Sequence, residues 1–251
     1  MIKLVNKDFK LFFSNKRDVL LTFLVPIALA TLFALIFGRM GNGGGVNEGG
    51  IVQSIVGTAI MMSLFSVADI GASFLDEKEK GMLKKLLWAP LPQHHILFGK
   101  IIYANCIVII QLLVVFLFGK LVFDLDLFKN LPAALLMILV IAYAASSFGV
   151  VLSAIARSRK QIQAYSTLVI LIMSGVGGSM IPVNMMPEFM QKAAMGSINY
   201  WGMQGFYDVF LRDRSFSDVA FLKNILVLIL IGTVLNGLAF LLFKKNLLKI
   251  A

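Results

Sequence analysis

The chain holds one cysteine, two histidines, six prolines and only 13 acidic residues among its 251. Each scarcity removes a class of chemistry. Cys106 stands alone inside an apolar run, so neither a disulfide framework nor a thiolate metal site can be built around it. His94 and His95 are adjacent, a spacing that points two imidazoles away from each other on a helix, and they read as a solvated pair rather than as ligands. Asp124 and Asp126 lack the glycine and the further oxygen ligands of a calcium loop. No Gly-x-x-x-x-Gly-Lys run occurs, because Gly99-Lys100 and Gly119-Lys120 have no earlier glycine at the required distance. Any nucleotide must therefore be bound by another polypeptide. Gly175, Gly177 and Gly178 sit in an apolar run and read as close helix packing rather than as a phosphate loop. Clustered His, Glu or Asp at one depth is missing too, so an enzyme is not expected.

What the chain has in excess is apolar length. Hydrophobic residues make up 59% and charged residues 14%, against roughly a quarter charged in soluble domains, and the mean hydropathy is +0.89. Stretches of about 20 apolar residues cross the hydrocarbon core as helices. Six are expected, over residues 19–37, 51–75, 101–123, 131–156, 164–181 and 221–243. The fold class is all-α, with one six-span domain over 19–251 preceded by a short segment, 1–18, read as mature sequence and not as a cleaved leader.

The net charge of +10 would suggest nucleic acid in a soluble protein, but its distribution argues otherwise. With the N-terminus inside, 16 of the 23 lysines and arginines fall on the inner side. That asymmetry orients a multi-pass protein in the cytoplasmic (inner) membrane with both termini cytoplasmic, and anionic lipid, not nucleic acid, accounts for the basic excess.

Between the spans lie the informative segments. Ile2, Val5, Phe9, Phe12 and Phe13 recur at helical spacing opposite Lys3, Lys7 and Lys10, which predicts an interfacial amphipathic helix with its apolar face in lipid. In the inner segment 76–100 the acids Asp76, Glu77 and Glu79 precede Lys84 and Lys85, the order that suits a helix dipole, and Pro90 and Pro92 close the run. Leu83, Leu86, Leu87 and Trp88 give it an apolar side, fit either for lipid or for docking a cytoplasmic partner. The outer segment 182–218 carries Pro182, Pro187, Tyr200, Trp201, Phe206 and Tyr207. It is too apolar for a free loop and too interrupted for a span, so two short helices dipping into the outer leaflet are expected.

These pieces, in this order, resemble the ABC-2 type transporter permeases over essentially the whole chain. The resemblance is carried by Glu77, Glu79, Gly81, Leu83, Leu86, Leu87, Pro90, Gly99 and Lys100, by the run Ala156 to Ser166 entering the fifth span, and by Ser174-Gly175, Pro182 and Pro187. Met82, where the family often has threonine, and Ser197 or Ile198, where it often has proline, depart from it. The resemblance implies a coupling helix at about 77–88, Trp88 included, and a second cytoplasmic contact at Arg157, Arg159 and Lys160. It implies a non-catalytic permease subunit that pairs with a second permease subunit, homologous or identical. ATP and Mg would be held by a partner ABC ATPase and no cofactor by this chain.

Candidates for the substrate path are Asp69, an ionisable residue within a predicted span, with Asn105, Gln111, Ser146, Met173 and Ser174. Asp69 also fits an interfacial structural role, and the other five also fit interhelical packing. An interior so poor in charge suits an amphipathic or hydrophobic cargo, drug-like or lipid-linked, and efflux is the expected direction. An ion-coupled carrier or channel acting without an ATPase is the competing expectation.

Overall fold

The computed structural model describes residues 2–39, 47–79, 93–125, 130–214 and 216–247. Among them run nine α-helices: α1 (Ile2–Ser14), α2 (Lys16–Phe37), α3 (Glu48–Glu79), α4 (Gln93–Phe123), α5 (Leu131–Ile155), α6 (Arg159–Val176), α7 (Glu188–Ala194), α8 (Ile198–Phe210) and α9 (Val219–Leu247). A single 3-10 turn, Val183–Met185, precedes α7, and the described residues contain no strand. Five helices, α2, α3, α4, α5 and α9, are long and apolar enough to cross a membrane. The expected sixth, α6, falls short by composition because Arg159, Lys160, Gln161 and Gln163 fill its first turns.

Local chemistry sets several helix starts. Asn130 caps α5 by accepting from the Ala133 amide, with Pro132 in the first turn where its missing N–H costs nothing. Ser158 caps α6 and Ser197 caps α8, each accepting from the amide three residues on. Ser197 thus starts α8 with a hydroxyl cap.

The end of α6 corrects the sequence reading. The apolar run reaches Ile181, but the helix stops at Val176 because Gly178 takes a φ of +95°, a conformation that L side chains rarely adopt. Gly178 therefore makes a turn, and a Cβ there would also stand 2.6 Å from Val183 Cγ2, whereas a Cβ on Gly175 would meet open space. Gly177 is closely approached as well, by the Met173 carbonyl and the Ser197 hydroxyl.

Helices α3 and α5 form the centre, with most of their residues buried, while α2 and α9 expose long apolar faces. Backbones approach closely at Gly149 of α5, where a Cβ would stand 2.9 Å from the Val67 carbonyl oxygen of α3. Two ends of the bundle follow from the contacts. One, the N-terminal face, gathers α1, the end of α3, the start of α4 and the α5–α6 junction, through Lys7, Asp8, Glu77, Lys100, Asp76 and Arg159. The other, the distal face, holds Gly38, Asn47 and residues 210–214.

Segment 177–218 folds as two short helices, α7 and α8. Ile198, Met203, Phe206 and Val209 of α8 are fully buried, and Phe206 and Phe210 pack edge-on against Phe116 of α4, with ring centroids 4.9 and 5.4 Å away. The Ser179 carbonyl reaches Gly57 of α3 so closely that no Cβ fits between them. Gly57 lies nine residues, about 14 Å at helical rise, inward from Glu48. The turn after α6 is thus sunk well below the distal end of α3.

Candidate functional site

The N-terminal face is organised by a quartet of charges from three helices. Lys100 of α4 places Nζ 3.0 Å from Oδ2 of Asp8 and 3.2 Å from Oε2 of Glu77. Lys7 of α1 places its Nζ 3.4 Å from Oε1 of Glu77 and 3.6 Å from Oδ1 of Asp8. Two cations and two anions alternate, so the cluster is neutral overall. Exposure decides how much each member matters: the side chains of Asp8, Lys100 and Glu77 are 4%, 12% and 18% exposed, and that of Lys7 is 37% exposed. Lys100 therefore compensates two desolvated carboxylates, whereas Lys7 is screened by solvent.

Apolar contacts seat α1 in the same place. Leu4 lies over Gly99, Phe9 meets Tyr103 of α4 edge-on at 5.2 Å, and Phe12 meets Phe23 of α2 at 6.2 Å. The apolar side of α1, expected to lie in lipid, thus gives Phe9 and Phe12 to protein, while Leu11 and Phe13 are exposed. Asp8, buried beneath that helix, went unnoticed in the sequence; its signal is one acid among the lysines of an amphipathic helix.

The quartet brackets residues 80–92. Glu77 stands in the last turn of α3 and Lys100 in the third turn of α4, so both chains leading to that segment are tied to α1 and to each other. Glu77 and Glu79, expected to open the coupling helix, lie in the last turn of α3. Gly81, Leu83, Leu86, Leu87, Trp88 and Pro90, with Met82, lie outside the described residues. Close by, Nη1 of Arg159 is 3.4 Å from Oδ2 of Asp76, which links the start of α6 to the same end of α3. Arg157 and Lys160 are exposed beside it, and the Arg157 amide donates to Oε1 of Gln161.

The remaining candidates separate by depth and exposure. Asn105 donates to Ser146 Oγ at 2.8 Å, joining α4 to α5 inside the subunit. Gln111 is fully buried with neither amide atom hydrogen-bonded. Ser174 is fully buried and, with Ser179, accepts from Nδ2 of Asn199, while Met173 is half-buried. Asp69 differs from all of these. It lies on an open stripe of α3 with Ser73 exposed and Ser66 half-exposed, and Gln163 and Thr167 of α6 are exposed as well.

A second polar cluster, on the distal face, was not singled out in the sequence. Asp208 of α8 is 1% exposed; its Oδ1 accepts from Arg212 at 2.7 Å and Arg214 at 3.1 Å, and its Oδ2 accepts from Asn224 of α9 at 2.8 Å. The legible clue was an acid within an apolar helix with an arginine four residues on. Among the described residues no three His, Cys, Asp or Glu side chains converge as a metal site would require.

The arrangement fixes helix ends and leaves a polar stripe of α3 exposed. A protein of Bacillus subtilis (strain 168) named "Putative transport permease YvfS" is 25% identical over 189 residues, which cover 74% of each chain. The family model described as ABC-2 type transporter matches residues 2–211. The chain belongs to the ABC-2 type transporter family, as a membrane-embedded transport permease.

Proposed function

We propose that this permease is the transmembrane subunit of an ATP-driven exporter, working as a pair of permease subunits with a separate ABC ATPase docked on residues 77–88. The observation that carries the reading is the charge quartet. It clamps both ends of the intervening segment to α1, so a push delivered to that segment reaches α3, α4 and α1 as one body. In this reading the N-terminal face is cytoplasmic, α6 completes six spans, and α7 and α8 re-enter the outer leaflet beside α3, α5 and α9. The excess of basic residues on one side supports that orientation. Arg157, Arg159 and Lys160 form the smaller second contact.

The open stripe of α3 supports pairing. Asp69 lies seven residues, about 10 Å, from Asp76 along the helix. A carboxylate held there against lipid is costly, and a second permease subunit, or a water-filled path between two, removes that cost. The path then runs between subunits, lined by Ser66, Asp69 and Ser73 of α3 and by Gln163 and Thr167 of α6. Such a surface, with apolar residues around it, suits an amphipathic or hydrophobic cargo, drug-like or lipid-linked.

The test is charge reversal at Glu77 and Glu79, or Leu83→Pro, followed in inside-out vesicles by ATP-dependent cargo uptake. Uptake is expected to fall to background while the variants still insert and copurify as pairs. Uptake at the unmutated rate would overturn the docking assignment.

A further inference from the structure

The distal face carries a cavity of about 410 Å³ that the transport reading does not use. It opens between the end of α2, the start of α3, the turn at 178–185 and α8. Its mouth is set by exposed Asn47, Asn184 and Arg212. Its volume falls within the range of small-molecule sites.

The lining defines what fits. Arg212 is the cation there, and its guanidinium is already engaged by the buried Asp208 carboxylate and, at 3.3 Å, by Oε1 of Gln204. No uncompensated charge therefore faces the cavity, which disfavours an ion. Gln53, 3% exposed, forms part of the floor. Its Nε2 donates to the Gly178 carbonyl, and because a carbonyl can only accept, the orientation of the amide is fixed. Gln53 Oε1 is then a buried acceptor without a partner among the described residues. An acceptor left unmade costs roughly 1–3 kcal/mol, which a ligand donor would recover. The walls add Phe37, Met203 and Leu211, while exposed Met185 is a flexible thioether able to swing aside and let a polar head reach the floor.

We propose that this cavity binds an uncharged amphiphile, with a hydroxyl-bearing head that donates to Gln53 Oε1 and a short apolar tail against Phe37, Met185 and Leu211. The site is contained within one subunit, and its existence does not depend on which ATPase drives transport or on which cargo is moved.

The probe is radiolabelled hexyl glucoside, followed by equilibrium dialysis against the full chain in lipid nanodiscs, with empty nanodiscs as the blank. Saturable binding is expected. Methyl glucoside, with the head but no tail, and hexyl sulfate, with the tail but a charged head, are each expected to compete about tenfold more weakly. Gln53→Met removes the acceptor at similar length and is expected to weaken binding by about tenfold as well. Because Gln53→Met also loses the bond to Gly178, a second variant, Asn184→Trp, closes the mouth from an exposed position. It is expected to abolish binding at an unchanged melting temperature. Hexyl glucoside binding that survives Asn184→Trp, or hexyl sulfate competing as well as the unlabelled glucoside, would overturn the proposal.

Discussion

Replacing Lys100 by methionine isolates the electrostatic argument at the N-terminal face. The substitution keeps the length of the side chain and removes the one cation within 3.2 Å of both Asp8 and Glu77. Breaking a fully buried ion pair costs about 3–5 kcal/mol, because a charge is left without compensation. Here Lys7 remains 3.4 Å from Glu77 and 3.6 Å from Asp8, and it is solvated enough to follow them. The expected loss is therefore about 2 kcal/mol, below the fully buried range. Lys7→Met removes the more exposed cation and is expected to cost less than about 1 kcal/mol. Unfolding in mixed micelles measures both. Adding Asp8→Asn to Lys100→Met removes the stranded carboxylate, so the double variant is expected to be more stable than the sum of the two single losses predicts, by about 1–2 kcal/mol. Equal losses for Lys100→Met and Lys7→Met, or strict additivity with Asp8→Asn, would refute the claim that Lys100 holds the quartet together.

Three further outcomes are expected. Asp208→Asn leaves Arg212 and Arg214 without their common anion and should destabilise the α8–α9 junction by about 2 kcal/mol, seen as faster proteolysis within 210–218; Arg214→Ala, at a more exposed position, should change it little. Gly57→Val should force the Ser179 carbonyl away from α3 and lower the melting temperature, whereas Gly175→Ala, with open space at its Cβ, should be neutral or slightly stabilising. Asp69→Asn should leave the subunit's melting temperature unchanged, since the side chain is exposed, and should alter cargo transport only in the ATP-driven complex.

Much of the fold was legible because a bilayer constrains composition so strongly. The apolar runs over 19–37, 51–75, 101–123, 131–156 and 221–243 each fall on a long helix, since a spanning segment must satisfy its own backbone. The prolines and aromatics of 182–218 foretold two short helices. The end of α6 was misread because hydropathy continues through Met180 and Ile181 while one backbone angle, at Gly178, ends the helix, and a sequence does not display φ. Asp8 and Asp208 were missed for another reason. A buried acid is distinguished from a solvated one by partners distant in sequence: Lys100 for Asp8, Asn224 for Asp208. The polar residues of the spans were visible, but not which of them a neighbouring helix satisfies. Asn105 and Ser146 hydrogen-bond each other, whereas Asp69 lies on an open face.

Dependence of transport on energy supplied by a partner is tested most directly in proteoliposomes. Vesicles containing the purified chain alone should neither hydrolyse ATP nor transport under a proton or sodium gradient. Adding the nucleotide-binding subunit that copurifies with the chain should produce ATP-dependent transport, lost on charge reversal at Glu77. Gradient-driven transport by the chain alone, abolished by Asp69→Asn, would contradict the account and identify an ion-coupled carrier instead.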